Sequence, residues 1–237
     1  MSRLTASEIK AIKALSRKKV RDREGLFVAE GEKIVAEALD SGADIVSIYR
    51  RDEIGEEQMS RISLQDSPSP VLAVIRKPAQ APARLSEGLF LALDSVRDPG
   101  NLGTILRICD WWGIDGIFAS PDTADQYNPK VVQASMGAIF RKHITYCDLP
   151  QLCSDFRAHG FSVFGTFLDG TDIYSESLAP QGLIIMGSES FGISPETGAL
   201  CDRRLKIPSY GSGPKAESLN VAIATAVTVA EFRRKFK

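Results

Sequence analysis

Histidine and cysteine are scarce in this chain, and neither is arranged for chemistry. There are two histidines, His143 and His159, and four cysteines, Cys109, Cys147, Cys153 and Cys201, with no C-x-x-C spacing. A zinc site needs closely spaced Cys and His ligands, and a disulfide framework needs a denser set of cysteines. Neither is expected, so no metal is expected. The thiols read as semi-buried and the imidazoles as surface groups. Long apolar runs are missing too: nothing approaches a membrane span, and the N-terminus lacks the apolar centre of a signal peptide. The reading is therefore a cytoplasmic protein with no membrane partner. Familiar nucleotide and hydrolase signatures are absent as well. There is no G-x-G-x-x-G, Gly211 to Ser218 does not form a G-x-x-x-x-G-K-[ST] loop, and no G-x-S-x-G elbow occurs. A generic α/β nucleotide-binding enzyme loses its support with them.

Excess charge of one sign is also lacking, since 29 Lys and Arg face 30 Asp and Glu for a net −1. The distribution is uneven, however. Lys10, Lys13, Arg17, Lys18, Lys19, Arg21 and Arg23 crowd a segment whose one acid is Asp22. Such a cluster suits a polyanion, and it equally suits a solvated helix end. The second cluster, Arg233-Arg234-Lys235 with Lys237, reads as a helix end.

At 237 residues, with 43% hydrophobic content, the chain is long enough for one large domain or two small ones. Thr5-Ala6-Ser7-Glu8 has the form of a capping box ahead of Ile9, Ile12 and Leu15. Strands are expected at Leu26–Ala29, Ile45–Tyr49 and Pro70–Ile75, with a helix through Ile34, Val35 and Ala38. Lys77-Pro78-Ala79-Gln80-Ala81-Pro82-Ala83 has no periodicity and reads as a linker. The resulting division is a small α/β part at 1–77, a linker at 78–88 and a larger α/β part at 89–237. In the larger part, strands are expected at Phe90–Leu93, within Ile114–Ala119, and at Phe161–Phe167, Leu183–Met186 and Leu205–Ile207. Asn128-Pro129 marks a helix start, and a last helix begins near Ser218 and carries Ala222, Ala224, Ala226 and Ala230. Short apolar strands alternating with helices predict a mostly parallel sheet covered on both faces.

The stretch from Phe90 to Gly113 organises the larger part. An apolar strand runs into Asp98-Pro99-Gly100, and a helix follows with Asn101 as its expected N-cap. Gly103 and Arg107 share a helix face, which would let a polar substrate approach closely beneath a cation; Arg107 taken alone also suits a surface ion pair. Two more strand exits are rich in glycine and polar residues: Gly187-Ser188-Glu189-Ser190-Phe191-Gly192, and Pro208-Ser209-Tyr210-Gly211-Ser212-Gly213 leading to Ser218-Leu219-Asn220. Ligands of parallel sheets collect at such ends.

These residues carry a resemblance. Leu93-Asp94, Asp98-Pro99-Gly100-Asn101-Leu102-Gly103 and Arg107 resemble motif 1 of the SpoU (TrmH-type) RNA methyltransferases. Gly187-Ser188-Glu189 with Gly192-Ile193-Ser194 is similar to motif 2, and Ile207-Pro208 with Ser218-Leu219-Asn220-Val221 to motif 3. Ser135-Met136-Gly137-Ala138 is similar to a further family segment. Lys10 to Arg23, followed by Phe27-Val28-Ala29-Glu30-Gly31, resembles the L30-like RNA-binding domain that precedes the catalytic domain in many rRNA-modifying members.

The resemblance implies an α/β fold made of an L30-like domain and a trefoil-knotted methyltransferase domain, working as a homodimer. It implies transfer of a methyl group from S-adenosylmethionine to a ribose 2′-hydroxyl of RNA, rRNA first. Methylation of a tRNA ribose and a non-catalytic RNA-binding homologue are the alternatives. By position, Asn101, Arg107, Glu189, Ser218 and Asn220 form the catalytic set, while Thr166, Gly187, Ile207 and Leu219 contact the cofactor. Lys18, Lys19, Arg21 and Arg23 are the expected phosphate-binding cations. Two departures from the family pattern concern the cofactor loops: Ser190 stands where glycine is common, and Gly213-Pro214-Lys215 lengthens the interval to Ser218.

Overall fold

The computed structural model describes residues 4–79, 87–213 and 216–234. The chain opens with α1 (Ala6–Ala14), whose start is closed reciprocally: Thr5 Oγ1 accepts from the Glu8 amide, and the Glu8 carboxylate accepts from the Thr5 amide. α2 (Lys18–Glu24), β1 (Leu26–Glu30), α3 (Glu32–Asp40), β2 (Ile45–Arg50), α4 (Arg51–Ile54), α5 (Glu56–Ile62) and β3 (Val71–Arg76) follow. The three strands form one antiparallel sheet in the order β1-β3-β2.

The second sheet is built by β4 (Leu89–Asp94), β5 (Gly116–Ala119), β6 (Ile144–Tyr146), β7 (Val163–Asp172), β8 (Gly182–Gly187) and β9 (Arg203–Lys206). Its helices are α6 (Pro99–Trp111), α7 (Pro129–Ser135), α8 (Leu149–Ala158), α9 (Pro195–Gly198) and α10 (Val221–Arg234), with a single 3₁₀ turn at Ala138–Phe140. All its pairings are parallel, in the order β6-β5-β4-β8-β7-β9. Every residue of β4 is buried, because both faces are covered. Leu89, Leu91 and Leu93 alternate towards the face that carries α6, α7 and α10. Phe90 and Ala92 point to the other face, where Phe156 of α8 lies edge-on to Phe90 and Phe118, at 5.2 and 6.2 Å between ring centres.

Several boundaries differ from the sequence reading. Asp98, not Asn101, caps α6: its carboxylate accepts from the Asn101 amide at 2.8 Å, and Asn101 sits inside the first turn. The last helix starts at Val221, after an extended segment over Ser218–Asn220. β6 and α8 had no counterpart in the reading, although Leu149, Leu152, Cys153 and Phe156 carry a helical repeat.

The two sheets share a core, since Phe27, Ile34, Val71 and Ile75 join the same apolar cluster as Leu91 and Leu106. Two polar ties reinforce that contact. Arg21 is 1% exposed and donates to Asp125 Oδ2 from Nε at 3.1 Å and from a terminal nitrogen at 2.6 Å. Its other terminal nitrogen serves the Leu15 and Ser16 carbonyls, each at 2.8 Å. Glu37 of α3 bonds Arg141, which also holds Asp110 at 2.9 Å. Gly137, with φ of +93°, lies so close to Glu37 that a side-chain carbon there would meet it at 2.7 Å. Of the expected linker, Lys77 is engaged: it pairs with Asp22 at 2.7 Å and lies over the Tyr127 ring at 4.9 Å. Residues 80–86 of that linker and its junction lie outside the described residues.

Candidate active site

The order of the parallel sheet reverses between β4 and β8, where successive strands lead off in opposite directions. Such a switch point opens a crevice at the carboxyl ends of its strands. Here Asp94 and Gly187 face each other in register at those ends. Asp94 is 4% exposed, and its Oδ2 accepts from the Ser194 amide at 2.8 Å and the Ser194 hydroxyl at 2.7 Å. The 188–194 loop is thereby pulled back onto the strand it leaves. Ser188 and Gly192 bridge each other at 3.0 and 2.9 Å, and Ser188 Oγ accepts from the Phe191 amide at 3.1 Å. Gly187 has to be glycine for this crossing: a side-chain carbon would sit 2.1 Å from the Gly192 carbonyl carbon and 2.3 Å from the Ile193 nitrogen. Gly192 supplies the left-handed residue of the turn at φ +70°, whereas Ser190 keeps an ordinary negative φ. Serine therefore fits where the family often has glycine.

Three polar residues from three separate stretches converge above this crossing. Asn220 caps α10, its Oδ1 accepting from the Ala222 and Ile223 amides at 3.0 and 3.3 Å. Its amide nitrogen donates to Asn101 Oδ1 at 2.9 Å. Asn101 in turn donates its own amide nitrogen to Glu189 Oε1. The chain runs one way, from Asn220 through Asn101 to the Glu189 carboxylate. Each amide has its oxygen and nitrogen assigned by its partners. The N-termini of α6 and α10 flank it and favour negative charge there.

The remaining expected site residues are placed as follows. Arg107 is exposed on α6 and makes no hydrogen bond or ion pair among the described residues, so its guanidinium is free. Ser218 and Leu219 are exposed in the segment before Asn220, and Ile207 is half-buried just beyond β9. Thr166 of β7 donates to the Ile185 carbonyl at 3.1 Å. Arg107 and Ser218 do not join the hydrogen-bonded trio. Gly103 corrects the sequence reading: α7 covers it, and a side-chain carbon there would meet Ala134 Cβ at 2.5 Å and the Val131 carbonyl at 2.6 Å. It makes room for a helix, not for a substrate. Pro214 and Lys215 of the longer interval lie outside the described residues.

Of the expected RNA-facing cations, Lys18, Lys19 and Arg23 are exposed, Lys18 being paired with Asp22 and Arg23 with Glu24. Arg21 is the exception. Buried against Asp125, it is a tie between the two sheets and presents nothing to a phosphate. Asp94, spelled within the first motif stretch, is the residue to which the sequence reading gives no role. Its signal was an acid closing an otherwise apolar strand, a place where a buried carboxylate needs specific donors. Burial pushes the Cys109 and Cys153 thiols up to about 12, which leaves them without nucleophilic character.

Residues 88–230 match the family model described as the SpoU rRNA Methylase family. The chain belongs to that family. Residues 6–80 match the MRM3-like substrate binding domain. Bacillus subtilis 23S rRNA (guanosine(2553)-2'-O)-methyltransferase RlmP is 31% identical over 242 residues, spanning 95% of this chain and 96% of the relative. Among solved structures, a Porphyromonas gingivalis protein ascribed to the TrmH RNA methyltransferase family is 40% identical with a TM-score of 0.88, covering 98% of this chain and 99% of its own. The AdoMet-bound rRNA methyltransferase of Sinorhizobium meliloti is 32% identical, also with a TM-score of 0.88, covering 100% of this chain and 98% of its own. In SpoU terms, the trio Asn101, Glu189 and Asn220 comes one residue from each of the three motif stretches.

Proposed function

We propose that this SpoU-family chain transfers the methyl group of S-adenosylmethionine to a ribose 2′-hydroxyl of ribosomal RNA. The observation that carries the reading is the hydrogen-bonded line Asn220–Asn101–Glu189, which ties three distant stretches at one strand-end crevice. Relatives that span nearly the whole chain are named for rRNA, and this favours rRNA over tRNA. The division of labour follows the sequence: 1–77 engages RNA and 89–237 carries the chemistry.

The crevice suits an adenosyl cofactor. Gly187 offers main chain at the end of β8, Ile207 and Leu219 offer apolar side chains, and Thr166 lies on β7, the strand next to β8. Such a lining of main chain and apolar groups is what a flat, largely uncharged ring system requires. Those four residues would hold the cofactor, which supplies an already activated methyl group when bound. The protein then has mainly to align the 2′-oxygen and ease loss of its proton. Arg107 cannot act as a base, because its guanidinium stays protonated. It donates to the oxygen as negative charge develops, or holds the adjacent phosphate. The proton leaves to that phosphate or to water. Asn101, Glu189 and Asn220 keep the polar wall of the site in one orientation, and Ser218 adds a hydroxyl at its edge.

A trefoil knot belongs to the same reading. The tight crossing of Gly187 by Gly192 and Ile193 supports it, as does the return of the chain through β9 to α10, which packs on α6 and β8. A homodimer is supported by Ile223, half-exposed on a final helix otherwise rich in alanine. A cytoplasmic site of action is supported by the bacterial rRNA methyltransferases that the chain resembles over nearly its whole length.

The test is incubation with unmodified, transcribed 23S rRNA and methyl-labelled S-adenosylmethionine, followed by nuclease digestion. Label should appear in a 2′-O-methyl nucleoside. Label on a base nitrogen or carbon, or none on any RNA, would reject the reading.

A further inference from the structure

Two aromatic side chains stand out against the rest of the active-site edge. Phe191 is 84% exposed and Tyr210 83% exposed. They lie on the loops that leave β8 and β9, the two neighbours of β7, so both emerge from the same edge of the parallel sheet. An exposed tyrosine has a hydroxyl that water can serve. An exposed phenylalanine has no polar handle, and its ring gains nothing from water.

Phe191 is also mounted rigidly. Its amide donates to Ser188 Oγ at 3.1 Å, the Ser188–Gly192 bridge closes the turn around it, and buried Asp94 clamps Ser194 just beyond. A ring held out on a fixed turn loses little freedom when something settles on it. Its position is equally specific, two residues after Glu189, the end of the hydrogen-bonded line. The loop itself, Ser188-Glu189-Ser190-Phe191, holds no cation and one acid. It is therefore unsuited to phosphate, and a π-face is what it has to offer RNA.

We infer that Phe191 is the stacking platform for an unpaired base of the substrate RNA beside the target ribose, an assignment that rests on the RNA 2′-O-methylation reading. Placing a methyl donor in line behind a 2′-oxygen requires the nucleotide to be drawn out of regular stacking. Unstacked bases are held on aromatic faces, irrespective of base identity. Arg107 and the exposed cations of α2 would attend to phosphates, and Phe191 to the base.

The experiment compares wild type, Phe191→Ala and Phe191→Trp on transcribed 23S rRNA. It measures kcat/KM for RNA, S-adenosylmethionine affinity by calorimetry, and sedimentation. Phe191→Ala should lose roughly ten- to hundredfold in kcat/KM, the size of one stacked base. Its cofactor affinity and sedimentation should stay at wild-type values, and Phe191→Trp should restore the rate. An unchanged kcat/KM in Phe191→Ala overturns the inference. So does a fall in cofactor affinity, which would make Phe191 a cover for the cofactor, or altered sedimentation, which would make it a contact between copies. If wild type leaves rRNA unmethylated, it is the RNA reading that fails, and this is seen before any variant is compared.

Discussion

Asn101 and Asn220 illustrate how much a single amide can organise. Each uses both ends of its side chain, and the resulting line has one direction because it terminates on a carboxylate, which only accepts. Arg107 is the contrasting case, a cation that the described residues leave unpaired six positions further along α6. A free guanidinium on the helix that also carries Asn101 is suited to meet charge that appears only in the transition state. Lysine keeps the charge but not the planar fork. Arg107→Lys should therefore lower kcat at least tenfold while S-adenosylmethionine affinity, read by calorimetry, stays within twofold. Equal turnover in the two proteins would remove Arg107 from the mechanism.

Loops, not helices or strands, complete the crevice, and they do so by crossing backbone against backbone. The 188–194 loop returns over the end of β8 so closely that Gly187 has no space for a methyl group. Gly187→Ala must open that crossing or shift the strand end. Overpacking of this kind costs about 1–3 kcal/mol. Urea unfolding should show a loss of that size, and calorimetry should show S-adenosylmethionine binding weakened or gone. Retention of both properties would mean that the loop is free to move aside. Gly103 plays the same part between helices, under α7, and so belongs to packing although it lies within the first motif stretch.

The molecule as a whole is more than a tethered pair of sheets. Phe27 packs against Tyr127 with ring centres 4.8 Å apart, Glu37 fills the space above Gly137, and Arg21 is buried against Asp125. Removing one partner of a buried pair strands the other charge, at a cost of about 3–5 kcal/mol. Asp125→Ala should lower stability by an amount in that range in urea unfolding. A change below about 1 kcal/mol, the size of a surface ion pair, would show that the guanidinium finds water instead. The exposed cations Lys18, Lys19 and Arg23 lie on α2, the helix that carries Arg21 of that tie. Replacing the three by alanine should weaken rRNA binding and reduce the slope of log affinity against log salt by up to about 2–3. S-adenosylmethionine affinity should hold. An unchanged slope would return this cluster to the status of a solvated helix end and move the RNA surface elsewhere.

Local chemistry was legible without coordinates wherever neighbours in sequence decide the outcome. The Thr5–Glu8 capping box, the Asn128-Pro129 helix start, and the buried run Phe90–Leu93 depend on residues within a turn or a strand of one another. The parallel α/β architecture follows from the same runs, since strands buried on both faces need helices between them. Motif spelling marked the three stretches that meet at the crevice. What sequence could not decide was how residues far apart use one another. Asp98 outcompeted Asn101 for the end of α6, leaving Asn101 free to bond Glu189 across 88 positions. Arg21 looked like its basic neighbours, but α2 turns its side chain inward towards Asp125, 104 positions away. Asp94, unremarkable as the last letter of a strand, became the clamp of a loop because Ser194 returns to it across 100 positions. A buried charge or amide takes its role from the partner the fold brings to it, and that partner is chosen by tertiary packing.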